Sequence, residues 1–209
     1  MAFKHWRRRA SYPFIGIGAY ALLLAVGCLP YRALPVVARW FSPLVSLCYR
    51  EARRLSAANL AVAFPAWGRE ERDRTFREAR IHTLLNGLEF LWFCRHPDRL
   101  AAAVDVDVPE VALARAQGAA GKGVLMLTPH LGNWELIGQA LALSGLPVHA
   151  VAAELRNPWI DRLVSRARGY HGMKTIHERG AAREIIRVLK SGGHVALLMD
   201  QNTRPTKGG

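Results

Sequence analysis

Residues 123–135 have the sequence GVLMLTPHLGNWE. The first part of this segment, Val124 to Leu127, is a short apolar run between a glycine and Thr128-Pro129, which is typical of a buried β-strand. A polar turn containing His130 follows, and the pattern from Asn133 to Leu143 predicts a helix. A strand that leads directly into a helix is the repeating unit of a parallel α/β sheet.

The same alternation continues along the chain. Further strands are predicted at 148–152, 174–176 and 195–199, and further helices at 158–168 and 181–190. Four strands that alternate with helices predict an α/β fold, a mainly parallel sheet flanked by helices. Ligands of such sheets bind beyond the carboxyl ends of the strands. Three polar clusters follow strands in this way: Thr128-Pro129-His130, Glu154-Leu155-Arg156-Asn157 and Asp200-Gln201-Asn202.

The N-terminal segment predicts a helical membrane anchor. The basic cluster Arg7-Arg8-Arg9 precedes Ala10 to Tyr31, a run of 22 residues without a charge. About 20 helical residues span the ~30 Å core of a bilayer. A cleaved signal peptide and a buried core helix are the alternatives, but the basic flank favours an anchor with a cytoplasmic N-terminus. The sequence leaves open whether the segment spans once or enters and returns.

A second apolar pattern follows the anchor. Val37, Trp40, Phe41 and Leu44 recur at helical spacing, which predicts an amphipathic helix in the bilayer interface or, alternatively, a core-packing helix. Residues 56–95 are predicted to be helical, with a break at Phe64 to Gly68. We therefore divide the chain into residues 1–50, the anchor and interfacial helix, and residues 51–209, the α/β domain.

The net charge points to an anionic partner. Lys and Arg number 29 and Asp and Glu number 16, so the formal net charge is +13. Nucleic acid, anionic lipid and a phosphorylated substrate all fit this excess. The arginines are spread along the chain and no nucleic-acid-binding signature is present, which argues against nucleic acid.

Several residue types carry no cofactor signal. Cys28, Cys48 and Cys94 lie far apart among apolar neighbours, which predicts reduced, buried thiols. The remaining histidines lack metal-ligand spacing, and neither a dinucleotide nor a Walker motif occurs. The sequence therefore predicts no metal and no cofactor.

The best candidates for chemistry are His130 and Glu135. If His130 lies on the turn that leaves the strand and Glu135 lies in the first helical turn, a bend at Gly132 allows the two side chains to meet. The carboxylate would then fix the imidazole tautomer and leave the other nitrogen free to accept a proton. No GxSxG nucleophile precedes the pair, so the simplest chemistry is direct attack of a substrate hydroxyl on an acyl thioester. A purely structural pair is the alternative.

These residues also carry a family resemblance. His130 to Glu135 resembles the HX4D/E motif of the lysophospholipid acyltransferase-like superfamily, and residues 123–135 resemble the lipid A biosynthesis acyltransferases, the lauroyl/myristoyl transferase family. Further segments are similar to patterns of that family: Asn59-Leu60 with Phe64-Pro65, Arg156-Asn157-Pro158, Arg168 with Gly172, and Asp200-Gln201 with Lys207-Gly208-Gly209.

The resemblance implies transfer of a fatty acyl chain to a hydroxyl of an anionic glycolipid such as a lipid A precursor. The donor would be acyl carrier protein or another acyl thioester, and the catalytic domain would work on the cytoplasmic face of the inner membrane, in contact with membrane lipids. Family members continue beyond the position of Gly209 with further strands and helices, so the C-terminal part of the family fold is expected to be missing. A non-catalytic, membrane-associated lipid-binding module is therefore an alternative, as is transfer to another glycolipid or phospholipid.

The resemblance also assigns roles to residues. His130 would be the general base and Glu135 its partner. Arg156 and Arg168 would bind phosphate or the developing oxyanion, with a solvated basic face as the alternative. Asn133 and Asp200 complete the candidate substrate-binding set, although Asp200 fits a capping role equally well.

Overall fold

A computed structural model describes residues 2–48, 50–106, 109–146 and 148–201 of the chain. By Cα packing the chain divides into two compact units, Met1–Leu23 with His96–Gly209 and Leu24–Arg95. The predicted Lys207-Gly208-Gly209 region and Asn202 lie outside the described residues.

Helices make up most of the described chain. The N-terminal four are α1 (Ala2–Gly27), α2 (Leu34–Cys48), α3 (Arg50–Ala63) and α4 (Arg69–Arg95). The later four are α5 (Pro109–Ala119), α6 (Trp134–Leu143), α7 (Pro158–Gly169) and α8 (Ala181–Lys190). The predicted break at Phe64 to Gly68 separates α3 from α4. The sequence analysis did not identify α5.

The sheet of the first unit is parallel throughout. Its strands are β1 (Val124–Thr128), β2 (Val148–Ala152), β3 (Lys174–His177) and β4 (His194–Leu198). They lie in the order β1-β4-β2-β3, and every neighbouring pair is parallel. The predicted α/β class and the four predicted strands are therefore confirmed, with strand ends shifted by about one residue.

Helices cover both faces of the sheet. Since successive strand residues point to opposite sides, one strand contributes side chains to the core on each face. On one side, buried residues of α5 pack with Leu146 and Val148, and the partly buried Ala196 of β4 joins them. On the other side, Val195 of β4 packs with Ile176 of β3 and with Val188 of α8. The adjacent residues Val195 and Ala196 thus belong to two separate cores.

In the first unit, the N-terminal helix is joined to α7. The Asn157 side chain caps α7 by accepting from the Trp159 backbone N–H at 3.0 Å, and its Nδ2 donates to the Tyr12 carbonyl of α1 at 3.1 Å. Gly16 lies against Trp159, where an added Cβ would be 2.6 Å from the Trp159 Cβ. Glycine is therefore what allows the two helices to approach this closely.

The second unit is a bundle of α2, α3 and α4 with an aromatic cluster. Trp92 donates from Nε1 to the Leu29 carbonyl at 2.9 Å, and its ring packs against Tyr31 and Phe93. The Tyr31 hydroxyl donates to Glu89 at 2.9 Å. Burial and this carboxylate raise the pKa of Tyr31 to about 12.

Helix α2 is amphipathic, but its larger apolar side chains face away from the bundle. Leu34, Ala38 and Ser42 are buried at i, i+4 and i+8. Trp40 and Phe41, in contrast, are 79% and 57% exposed. The exposure of Trp40 and Phe41 is inconsistent with the alternative that the predicted apolar stripe packs into the protein core.

No single helix among the described residues is both long and apolar enough to cross a bilayer. Two consecutive helical segments, Ser11–Gly27 and Tyr31–Val45, reach that length and composition only together, with a bend of 106° between them. The membrane anchor stays a prediction.

The prediction that the cysteine thiols are buried is wrong for Cys28, which is exposed.

Two glycines of α1 test its contact with α7. An alanine at either position gains up to about 1 kcal/mol of helix propensity. Gly18 has open space around its Cα, so Gly18→Ala should raise the unfolding temperature. Gly16→Ala should lower it, because Trp159 must move. Thermal unfolding of both variants in the same detergent, followed by circular dichroism, measures the two shifts, and equal shifts would contradict the contact.

Candidate active site

The register of β1 and β4 brings two distant loops together. Thr128 pairs with Leu198 at the carboxyl ends of the strands, and the Met199 backbone N–H donates to the Thr128 carbonyl at 3.3 Å. His130 and Asp200 each lie two residues beyond this last pair. The two residues therefore leave the sheet side by side although 70 positions separate them in the sequence.

Asp200 holds His130 at two points. Its Oδ2 accepts the His130 backbone N–H at 2.9 Å, and its Oδ1 lies 2.7 Å from the His130 Nδ1. An ionised carboxylate can only accept, so Nδ1 of the imidazole carries a proton, and in the neutral form of the ring the lone pair is on Nε2. The hydrogen bond from the His130 side chain, followed by that from its backbone, lowers the pKa of Asp200 below 3.8.

Glu135 has a different partner. It lies in the first turn of α6, where the helix dipole stabilises a negative charge. Its two carboxylate oxygens accept hydrogen bonds from Nε and Nη2 of Arg168. The Arg168 Nε–Glu135 Oε2 distance is 2.9 Å and the Nη2–Oε1 distance is 2.7 Å. The Arg168 side chain is only 16% exposed and the Glu135 side chain 26%. This bidentate, partly buried pair links α6 to α7.

The predicted contact between His130 and Glu135 is therefore corrected: the carboxylate that orients the imidazole is Asp200. Gly132, with φ +60°, turns the chain between the histidine and α6 in a left-handed conformation that suits glycine. Beyond this bend Glu135 binds the guanidinium of Arg168. A guanidinium donates two parallel hydrogen bonds to a carboxylate, whereas an imidazole N–H donates one.

An apolar cavity of about 600 Å³ lies between the sheet and helices α5 and α6. Its lining includes Met126 and Leu141, together with both partners of the Glu135–Arg168 pair. Trp134 also lines it and packs edge-on against the His130 ring, with the centroids 5.2 Å apart. The cavity is of the size and composition that holds an apolar ligand with a few polar groups at one point.

The remaining predicted site residues occupy separate positions. Asn133 is the residue before α6 and accepts the Leu136 backbone N–H through its carbonyl at 3.0 Å. Arg156 is exposed in the connection between β2 and α7, and among the described residues no hydrogen bond or ion pair joins it to another predicted site residue. The structure thus brings together His130 with Asp200 and Glu135 with Arg168, and leaves Arg156 apart.

An imidazole held by a carboxylate at the ends of adjacent parallel strands is an arrangement that general acid–base catalysis uses, and the neighbouring Trp134 lines an apolar cavity. The family model of the bacterial lipid A biosynthesis acyltransferases matches residues 1–208, and the chain belongs to that family. The predicted family is therefore confirmed, and the family's activity is acyl transfer in lipid A biosynthesis. The comparison with curated proteins found no match.

The His130–Asp200 link predicts a pH dependence of stability. Because the folded pKa of Asp200 is lowered, its contribution is present above the ordinary value of 3.8 and is lost as the pH falls through the folded value. The unfolding temperature of the wild-type chain should exceed that of Asp200→Asn near neutral pH, and the difference should shrink below about pH 4. Thermal unfolding across this range measures it, and a difference that persists undiminished would contradict the link.

Proposed function

We propose that this chain transfers a fatty acyl group from an acyl thioester, such as acyl carrier protein, to a hydroxyl of an anionic glycolipid of the lipid A type. The observation that carries the proposal is the His130 imidazole, which Asp200 holds and which packs against Trp134, a residue that lines the apolar cavity. In this proposal the donor supplies the thioester carbonyl that is attacked, and the glycolipid supplies the hydroxyl from which the imidazole takes a proton.

His130 is the proposed general base. Its neutral Nε2 accepts the hydroxyl proton while the hydroxyl oxygen attacks the thioester carbonyl carbon. The tetrahedral intermediate then expels the thiolate, and the imidazolium returns the proton to the sulfur. Asp200 stabilises the positive charge on the ring between these two steps, which is the role of the carboxylate in a catalytic triad. Glu135 acts as a positioning residue for Arg168 in this scheme.

Arg168 is the proposed oxyanion or phosphate ligand. Two of its five N–H donors bind Glu135, and three remain for a substrate oxygen. The Arg168 side chain is only 16% exposed, so a hydrogen bond that it donates is weakly screened by solvent. The neighbouring cavity is the proposed site of the acyl chain, since its lining is mainly apolar.

The proposed location is the cytoplasmic face of the inner membrane. In α1, Phe14 and Ile17 are 76% and 63% exposed, and Trp40 on α2 is 79% exposed. Exposed aromatic and aliphatic side chains of this kind are suited to a bilayer interface. The net charge of +13 adds attraction to anionic lipids.

Two histidines at strand ends provide a matched test of the base. His130→Gln should reduce acyl transfer by about 10² to 10⁴, the usual contribution of a general base. His177→Gln changes an exposed histidine at the end of β3 and should leave transfer unchanged. The measurement is transfer of a radiolabelled acyl group from acyl carrier protein to a tetraacylated lipid A precursor by the full chain, with circular dichroism to check folding.

Equal activity of the two variants would overturn the role of His130. If the folded wild-type chain binds the acceptor lipid and transfers nothing, the chain is a lipid-binding module of the same family. Transfer to a phospholipid but not to the lipid A precursor would replace the proposed acceptor.

The cavity predicts a control of acyl-chain length. Ala150 of β2 lines it, so Ala150→Leu should shift preference from tetradecanoyl to decanoyl donors. Ala182→Leu, at an exposed position of α8, should leave the ratio unchanged. The ratio of kcat/KM for the two donors is the readout, and equal ratios in both variants would contradict the proposed acyl site.

A further inference from the structure

The helical unit formed by residues 24–95 contains a cavity of its own. It has a volume of about 700 Å³ and lies between α3 and α4, with Val45 of α2 at one side. Its apolar lining includes Leu60, Phe76 and Leu84. This cavity shares no lining residue with the candidate active site.

The lining of this cavity includes two arginines, Arg53 of α3 and Arg80 of α4. Its uncharged polar residues are Ser56, Asn59, Thr75 and Thr83. The Arg80 Nε is buried and has no hydrogen-bond partner in the described part of the chain, and its Cζ lies 5.9 Å from the centre of the Phe76 ring. A buried N–H without an acceptor is unfavourable, so a group at this position calls for an oxygen ligand.

No carboxylate of the described residues lines the cavity. Acidic side chains near the start of α4 pair elsewhere, Asp73 with Arg69 at 3.8 Å and Glu71 with Arg74 at 3.7 Å. The positive charge of the cavity is therefore not balanced by its own lining. Since guanidinium groups bind phosphate oxygens with good geometry, a phosphate is the complementary group.

The break between the helices helps to form this space. Phe64 stacks on Trp67 with ring centres 3.9 Å apart and planes within 8°. This contact closes the turn that returns α4 alongside α3. Asn59 and Leu60, which precede the turn, both line the cavity. The segment from Asn59 to Pro65 therefore helps to form this cavity, and none of its residues lines the cavity of the candidate active site.

An exposed apolar surface adjoins the cavity on α2. Phe41 lies one helical turn before Val45, on the same side of the helix, and Leu44 is its neighbour; they are 57% and 58% exposed. A lipid that reaches the cavity past these side chains keeps its acyl chain against apolar surface. Unpaired cations together with an adjoining apolar surface are the complement of an anionic amphiphile.

We propose that the cavity between α3 and α4 binds a phosphate-bearing lipid, with the phosphate on Arg53 and Arg80 and the acyl chain against Leu60, Phe76 and Leu84. This site is separate from the candidate active site and does not depend on acyl transfer by the chain. The phosphate can belong to a membrane phospholipid or to a phosphorylated glycolipid, which share this chemistry.

Neighbouring arginines provide a matched pair of variants. Arg53→Gln/Arg80→Gln removes the two arginines that line the cavity, whereas Arg54→Gln/Arg77→Gln removes two arginines of the same helices that do not line it, with the same change in net charge. The probe is dihexanoyl phosphatidylglycerol below its micelle-forming concentration, titrated calorimetrically into the full chain. The cavity variant should bind at least about tenfold more weakly, and the control variant should change by less than about twofold.

A third variant tests the apolar part of the cavity. Ala63→Phe leaves both arginines in place and fills space in the lining, so it should also weaken binding. This variant keeps the proposal testable if the double arginine variant does not fold. Wild-type affinity in folded Ala63→Phe and in the folded arginine variant would overturn the site.

Other probes separate the ligand classes. Equal weakening in the two double variants would overturn the proposal in favour of general surface attraction. Decanoate that binds as tightly as the phospholipid would overturn the requirement for phosphate. Displacement of the phospholipid by a bis-phosphorylated glucosamine disaccharide lipid at a lower concentration would support the site and assign it to the glycolipid, and the reverse order would support it and assign it to the bilayer phospholipid.

Discussion

The parallel pairing of β1 with β4 is the constraint on which the candidate site depends. It aligns Thr128 with Leu198, and so it delivers His130 and Asp200 to the same edge of the sheet. The two hydrogen bonds of Asp200 then fix both the backbone and the ring of the histidine. Without that register, neither the tautomer of the imidazole nor its position beside Trp134 would be determined.

The structure separates two tasks that a single carboxylate would otherwise share. Asp200 orients the imidazole, and Glu135 holds the guanidinium of Arg168 at the cavity. Each carboxylate of the candidate site therefore has its own cationic or hydrogen-bonding partner. The arginines of the cavity between α3 and α4 lack such partners in the described chain, so the two cavities differ in electrostatics as well as in position.

The sequence predicted local structure better than it predicted pairing. The run from Val124 to Leu127 and the alternation after it were sufficient for the α/β class and for the four strands, because hydrophobic period and turn residues are local signals. The strand order is non-local. Asp200 was therefore recognised only as a polar residue at a strand end, and Glu135 was assigned to the histidine because it was near in sequence. The adjacency of β1 and β4, had it been known, would have identified Asp200 as the partner.

The strand order also has a consequence for how the protein is made. The central strand β4 is the last of the four to leave the ribosome, and β1 and β2 are each bonded to it and not to one another. A nascent chain that ends before residue 194 therefore holds β1 with no neighbour in this sheet. Its apolar residues stay open to chaperones or to aggregation until β4 arrives. These four strands cannot pair in their final order, and the histidine–aspartate pair cannot form, before β4 has been synthesised.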